Sequence, residues 1–238
     1  LTKALYTSRP DLRPRQLFSH NDQQVEWQTS IADRPFSEVA TGWGGRVADL
    51  VDAFNANNRI SMSMTLNGQN TFQIGRTVQQ YAVGTGGSVA LTGSAGTPTS
   101  VNGVRTSALN DALAVQNANL LETAFGGLTS RALGTSSLLS SVITGNSPFA
   151  TAFNGVNTSL GQQLHMVARL VNAQGQLNLK RQIFFVRSGG FDLHDNQVVL
   201  GNTANGAHSN ILRDISRSLA AFNQAMNQIS AQNQVTVF

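Results

Sequence analysis

Apolar residues recur at spacings of three and four along several stretches of the chain, the period of a helix with one buried face. Val47, Leu50, Val51 and Phe54 predict a helix over about 46–57. Leu164, Val167, Ala168 and Val171 predict another over 160–173. The longest pattern runs through 209–230, with Ile211, Leu212, Ile215, Leu219, Phe222, Met226 and Ile229 on one face. Ala and Leu repeats predict helices over 108–125 and 128–143, divided at Gly126-Gly127. A shorter helix over about 22–31 follows two candidate caps, Ser19 and Asn21, and carries Val25 and Trp27.

Strand patterns are shorter. Ile60, Met62 and Met64 alternate with serine, and 71–74 is a second short candidate. Residues 181–187 hold the apolar run Ile183-Phe184-Phe185-Val186, as expected of a strand covered on both faces. Gln234 to Phe238 reads as a further buried strand. Helix, buried strand, loop, helix, buried strand is the order of a parallel α/β sheet. Between the early strands and the helices lies a stretch rich in Gly, Ser and Thr, at about 84–104, read as a surface excursion. The reading is one domain over 1–238, incomplete at both ends. Residues 1–16 contain no apolar signal segment, and the chain stops on a strand pattern with no turn after it.

Composition narrows the function. Of 28 charged side chains, 16 are basic and 12 acidic, giving +4, and charged residues are only 12% of the chain. No run of Lys or Arg interleaved with aromatics occurs, which argues against nucleic acid as a partner. Apolar runs fall far short of the roughly 20 residues of a membrane span. Cysteine is absent, which excludes disulfides, thiolate metal sites and a cysteine nucleophile.

Three stretches carry candidate chemistry. Gly189-Gly190-Phe191-Asp192-Leu193-His194 follows the apolar strand, and ligands of open α/β sheets gather at the carboxyl ends of strands. In extended chain Asp192 and His194 project to the same side, and a carboxylate beside an imidazole is half of a divalent-metal site. The plainer reading is a loop whose Asp caps the next helix. In Phe18-Ser19-His20-Asn21-Asp22, Ser19 stands where a nucleophile or a helix cap would, and His20 and Asp22 are candidates for proton transfer or metal binding. In Gly42-Trp43-Gly44-Gly45-Arg46, Arg46 is placed to hold an oxyanion at a helix start, or the glycines make a tight turn that packs Trp43. His165 reads as a structural side chain beside an apolar stripe, and His208 as lying near the cap of the last helix.

In this order, the stretches 17–24 with Trp27, 42–46 and 181–194 resemble the family called domain of unknown function number 1501. Ser159-Leu160-Gly161-Gln162-Gln163-Leu164 and Ser218-Leu219-Ala220-Ala221-Phe222 add to the likeness, which runs from about Leu17 to Phe238. Those bacterial proteins usually carry a twin-arginine export signal and are similar to the alkaline phosphatase and sulfatase superfamily. The resemblance implies a three-layer α/β/α sandwich with a mostly parallel sheet. It also implies a divalent metal (zinc, calcium or manganese), phosphate or sulfate esters of small molecules or polymers as substrates, and a periplasmic or secreted location. Asp192 and His194 match the family's Gly-Gly-(Phe/Trp)-Asp-Thr-His element, with Leu193 in place of Thr, and Ser19 falls near the superfamily's nucleophile. The family's Gly-Gly-Asn-Asp, Phe-Gly-Arg-Thr and Asp-His-Gly motifs do not occur in this sequence.

The resulting expectation is a fragment of an exported, metal-dependent ester hydrolase, inactive alone. Its catalytic candidates are Ser19, His20 and Arg46, and its metal candidates are Asp192, His194 and Asp22. The alternative is a non-catalytic binding or surface-associated protein that keeps the same fold.

Overall fold

The structure, a computed structural model, describes residues 2–13, 18–31, 41–55, 60–88, 91–94, 96–115, 118–143 and 145–238. Leu17 and Asn57, which enter the sequence argument, lie outside these. The elements, in order, are α1 (Lys3–Ser8), α2 (His20–Thr29), α3 (Trp43–Val51), β1 (Ser63–Thr65), β2 (Tyr81–Ala82), α4 (Val101–Ala114), α5 (Leu120–Val142), α6 (Ser159–Asn172), β3 (Ile183–Phe185) and α7 (Ala207–Gln228). Short 3₁₀ turns sit at Pro10–Leu12 and Asp52–Phe54. The protein is mixed α/β. It divides into two compact units, 1–82 with 178–212, and 83–177 with 213–238.

The first unit is built on a small parallel sheet in the order β2-β1-β3. Ser63, Met64 and Thr65 of β1 pair with Ile183, Phe184 and Phe185 of β3, while Met64 and Thr65 pair with Tyr81 and Ala82 of β2. All three residues of β1 are buried, so their backbone groups must find partners inside the protein. Two buried carboxamides complete that pairing. Gln73 donates from Nε2 to the Met64 carbonyl (2.9 Å) and the Ile183 carbonyl (3.3 Å). Asn55 accepts at Oδ1 from the amides of Lys180 (2.7 Å) and Arg181 (2.8 Å) and donates to the Arg181 carbonyl.

α3 docks on residues 71–78 through its glycines. The Gly42 amide donates to the Ile74 carbonyl (2.8 Å) and the Gly45 amide to the Phe72 carbonyl (2.9 Å). A Cβ on Gly45 would stand 2.1 Å from Ile74 backbone atoms, so only glycine permits the approach. At the other end of α3, Asp49 accepts hydrogen bonds from the amides of Arg76, Thr77 and Val78 at 2.7–3.0 Å and from Thr77 Oγ1 at 2.8 Å. Burial alone would raise its pKa. The hydrogen bonds from Val78, Arg76 and Thr77 outweigh burial and bring it to about 2.

In the second unit α6 buries Leu164, Met166, Val167, Ala168, Leu170 and Val171, close to the predicted stripe. His165 on this helix is half-buried. Its Nε2 lies 2.6 Å from Ser147 Oγ, and its ring stacks on Phe153 with centroids 4.7 Å apart. Burial, and then the charge of Arg169, lower its pKa below the ordinary 6.5.

Several boundaries differ from the pattern. α4 and α5 are separated at 115–119, not at Gly126-Gly127. Asn119 caps α5 by accepting from the Leu121 amide (2.8 Å), and the helix continues through both glycines at a cost of roughly 1 kcal/mol each. Residues 71–74 are a turn whose carbonyls serve α3, and the strand beside β1 is β2. Residues 235–238 form no strand, and Phe238 is exposed. A terminal strand needs a neighbour for its ladder, and among the described residues the sheet has only β2, β1 and β3. α7 buries Ser218, Ala221, Phe222, Ala225 and Met226, so its deep face is confined to the C-terminal half and Leu212 is exposed. No helix among the described residues is long and apolar enough to cross a membrane.

Asp49→Ala leaves three backbone amides to water and should cost about 1–2 kcal/mol in urea unfolding. The folded pKa of Asp49 is depressed, so its contribution is present above about 3.8 and is lost as pH falls through about 2. Asp49→Ala should therefore flatten the acid limb of stability against pH. For His165 the lowered pKa also means stability gained at high pH. It is complete above 6.5 and falls away as pH drops through the lower folded value. His165→Gln should remove this slope, read in thermal melts as pH falls below 6.5.

Candidate functional site

The carboxyl ends of β1 and β3 open into a cleft of about 880 Å³, formed wholly within the first unit. Its walls are α2, residues 67–71 and residues 185–192. After β3 the chain turns at Gly189-Gly190, and Gly190 takes φ +85°, a conformation that favours glycine. The Leu193 amide then donates to the Phe191 carbonyl (2.9 Å), closing a three-residue turn with Asp192 at its centre.

That turn brings together residues from distant parts of the chain. His194 Nε2 lies 3.2 Å from Asp192 Oδ1, and His20 Nδ1 lies 3.7 Å from Asp192 Oδ2. Side-chain exposures are 72% for His20, 59% for Asp192 and 87% for His194, so this cluster sits in water at the rim. His20 and Asp192 line the cleft. The pairing of Asp192 with His194 expected from their spacing is present, made through a turn and not along an extended strand. The carboxylate and two imidazoles are donors of the type that zinc and manganese accept. Their nitrogens address the carboxylate, and among the described residues no three His, Asp or Glu side chains are grouped to hold a metal ion.

The other candidates have structural partners. Ser19 is the N-cap of α2, its Oγ accepting from the Asp22 amide (3.3 Å). Asp22 lies in the first turn of that helix, where its charge favours the helix dipole. Arg46 donates from Nη2 to the Thr29 carbonyl (2.7 Å) and from Nη1 to the Thr41 carbonyl (3.0 Å), tying α3 to the end of α2. Ser19, Asp22 and Arg46 are not among the residues that line the cleft. The N-terminal amides of α3 are answered by the carbonyls of residues 72 and 74, as described above. Trp43 packs edge-on against Phe72 at 4.5 Å. His208 packs edge-on to Phe191 at 6.4 Å.

The cleft is also lined by carboxamides that were not among the candidate site residues. Asn21, Gln24 and Gln28 recur at spacings of three and four on α2, and all three line it. That polar periodicity was the available signal. Asn67 and Gln69 come from the loop after β1 and Arg187 from the chain after β3. No sequence spacing connects these segments.

No family model matches the chain, and neither a curated protein nor a solved structure matches it.

Ser19→Ala should lower stability by about 1 kcal/mol, and Ser19→Asp should restore most of it, because Asp caps as well as Ser. Chemical denaturation of both variants checks this; equal losses in the two would show that the hydroxyl does something other than cap.

Proposed function

We propose that the protein acts on phosphate or sulfate esters with the help of a divalent metal, and that His20, Asp192 and His194 form the reacting end of the cleft. The observation that carries this reading is the placement of Asp192 between two imidazoles at the carboxyl ends of parallel strands. A carboxylate with two imidazoles favours zinc or manganese over calcium, which prefers oxygen donors throughout. Such a metal, when bound, supplies Lewis acidity and lowers the pKa of water. The chain's own residues supply position and charge. Asp192 orients both imidazoles, and Arg187 brings a positive charge to the lining of the same cleft. Arg46, already bonded to two carbonyls, braces α2 behind the site.

The resemblance of residues 17–24, 42–46 and 181–194 to domain of unknown function 1501 supports the same reading. A three-layer sandwich and an exported, periplasmic or secreted location belong to the proposal on that resemblance alone. A second reading, a non-catalytic binding protein of the same fold, is favoured by the carboxamides that line the cleft.

Zinc and manganese titrated by calorimetry should bind at one site. His194→Ala, on an exposed turn, should weaken that binding at least about tenfold without unfolding the protein. The natural gene product should hydrolyse 4-nitrophenyl phosphate or 4-nitrophenyl sulfate, and His194→Ala should abolish this. Turnover unchanged in His194→Ala would sink the assignment, and no turnover with either ester would favour the binding protein.

A further inference from the structure

Much of the cleft is walled by side chains that ester chemistry does not use. Asn21 and Gln24 from α2, and Asn67 and Gln69 from the loop after β1, all line it. Among the described residues none of these four carboxamides makes a side-chain hydrogen bond. Their neighbours are engaged. Gln28 Oε1 accepts from the amides of Thr71 and Phe72, and Asn70 bonds Gln73 and Gln80. The cleft thus carries unengaged carboxamides on two facing segments.

Flat apolar surfaces stand among them. Trp27 lines the cleft and is 57% exposed, yet it is held in place by Phe72, stacked at 5.9 Å and 28°. Phe191 lines it from the β3 side and is also exposed. Apart from His20, the titratable lining is one carboxylate, Asp192, and one guanidinium, Arg187. One guanidinium offset by one carboxylate leaves the wall without the net positive charge that would hold a polyanion, and an apolar ligand would leave the carboxamides unpaired.

A carboxamide offers a donor and an acceptor side by side. Adjacent hydroxyls on a sugar ring present the complementary pair. The C–H face of the same ring packs on an aromatic side chain. We infer that the cleft binds a neutral saccharide, with Asn21, Gln24, Asn67 and Gln69 hydrogen-bonding its hydroxyls and Trp27 stacking on a ring. A volume of about 880 Å³ accommodates more than one ring. This goes beyond the proposed function, since it requires neither metal nor hydrolysis.

Cellotriose, maltotriose and chitotriose titrated into the 238-residue chain in the presence of a chelator test it. Trp27 and Trp43 are the two tryptophans, so Trp43→Phe leaves Trp27 as the fluorescent reporter. At least one trisaccharide should shift Trp27 emission to saturation and give matching heat by calorimetry. Gln24→Ala and Gln69→Ala, both at exposed positions, should each weaken that binding about tenfold with circular dichroism unchanged. Absence of any response to all three sugars up to about 10 mM overturns the inference. So does affinity that is unaltered in both variants, or binding that the chelator abolishes. Sugar binding without turnover of the nitrophenyl esters would count against the hydrolase reading and leave this one standing.

Discussion

The first unit depends on satisfying the backbone of one short, fully buried strand. β1 has only three residues, with neighbours on both sides and no solvent to complete its hydrogen bonds. Strands this short cannot hold register by ladder bonds alone, so Gln73 reaches from a neighbouring turn to the carbonyls of Met64 and Ile183. Asn55 does the same for the entry to β3 through Lys180 and Arg181. Both strands run in one direction, so their carboxyl ends emerge together. The cleft is the consequence of that pairing.

The next layer of the frame follows from the turn that carries Gln73. Its carbonyls at Phe72 and Ile74 answer the N-terminal amides of α3, its amides at Thr71 and Phe72 are answered by Gln28 of α2, and its far end is held by Asp49. A glycine-rich helix start is chemically equipped to receive an anion. Here the glycines instead allow two backbones to touch. Arg46, next in sequence, spends its guanidinium on the carbonyls of Thr29 and Thr41. The region that looked like an oxyanion site is the brace that fixes α2, and α2 carries His20 and the cleft-lining carboxamides.

The cleft therefore has two chemical ends on one scaffold. At one end an exposed carboxylate stands between two imidazoles. Along the rest, neutral carboxamides and a braced indole suit a ligand rich in hydroxyls. Specificity in such an arrangement would come from hydrogen bonds to hydroxyls, which penalise ligands that lack them more strongly than an apolar wall does.

Local pattern determined the elements whose driving force is local. The stripe of α6, the apolar run of β3, the helix capped by Ser19 and the α/β class follow from periodicity and caps carried by each segment's own residues. The stripe expected over 46–57 does not become a core face: Val47, Leu50 and Phe54 are exposed, and α3 starts at Trp43 and buries Gly44, Gly45 and Ala48. Asp192 beside His194 was legible for the same reason, being two residues apart. Elements whose stability is borrowed were not legible. β2 is two residues long and exists because β1 is beside it. The chain end at 235–238 has strand-forming residues and no strand beside it among those described. Gly126 and Gly127 look like a break, but the propensity cost of two glycines is small within a 23-residue helix. Only the tertiary structure brought His20 to Asp192, or faced Asn21 and Gln24 with Asn67 and Gln69. Those placements depend on the parallel pairing of strands far apart in sequence, and a side-chain pattern does not encode which distant backbone will supply the missing hydrogen bonds.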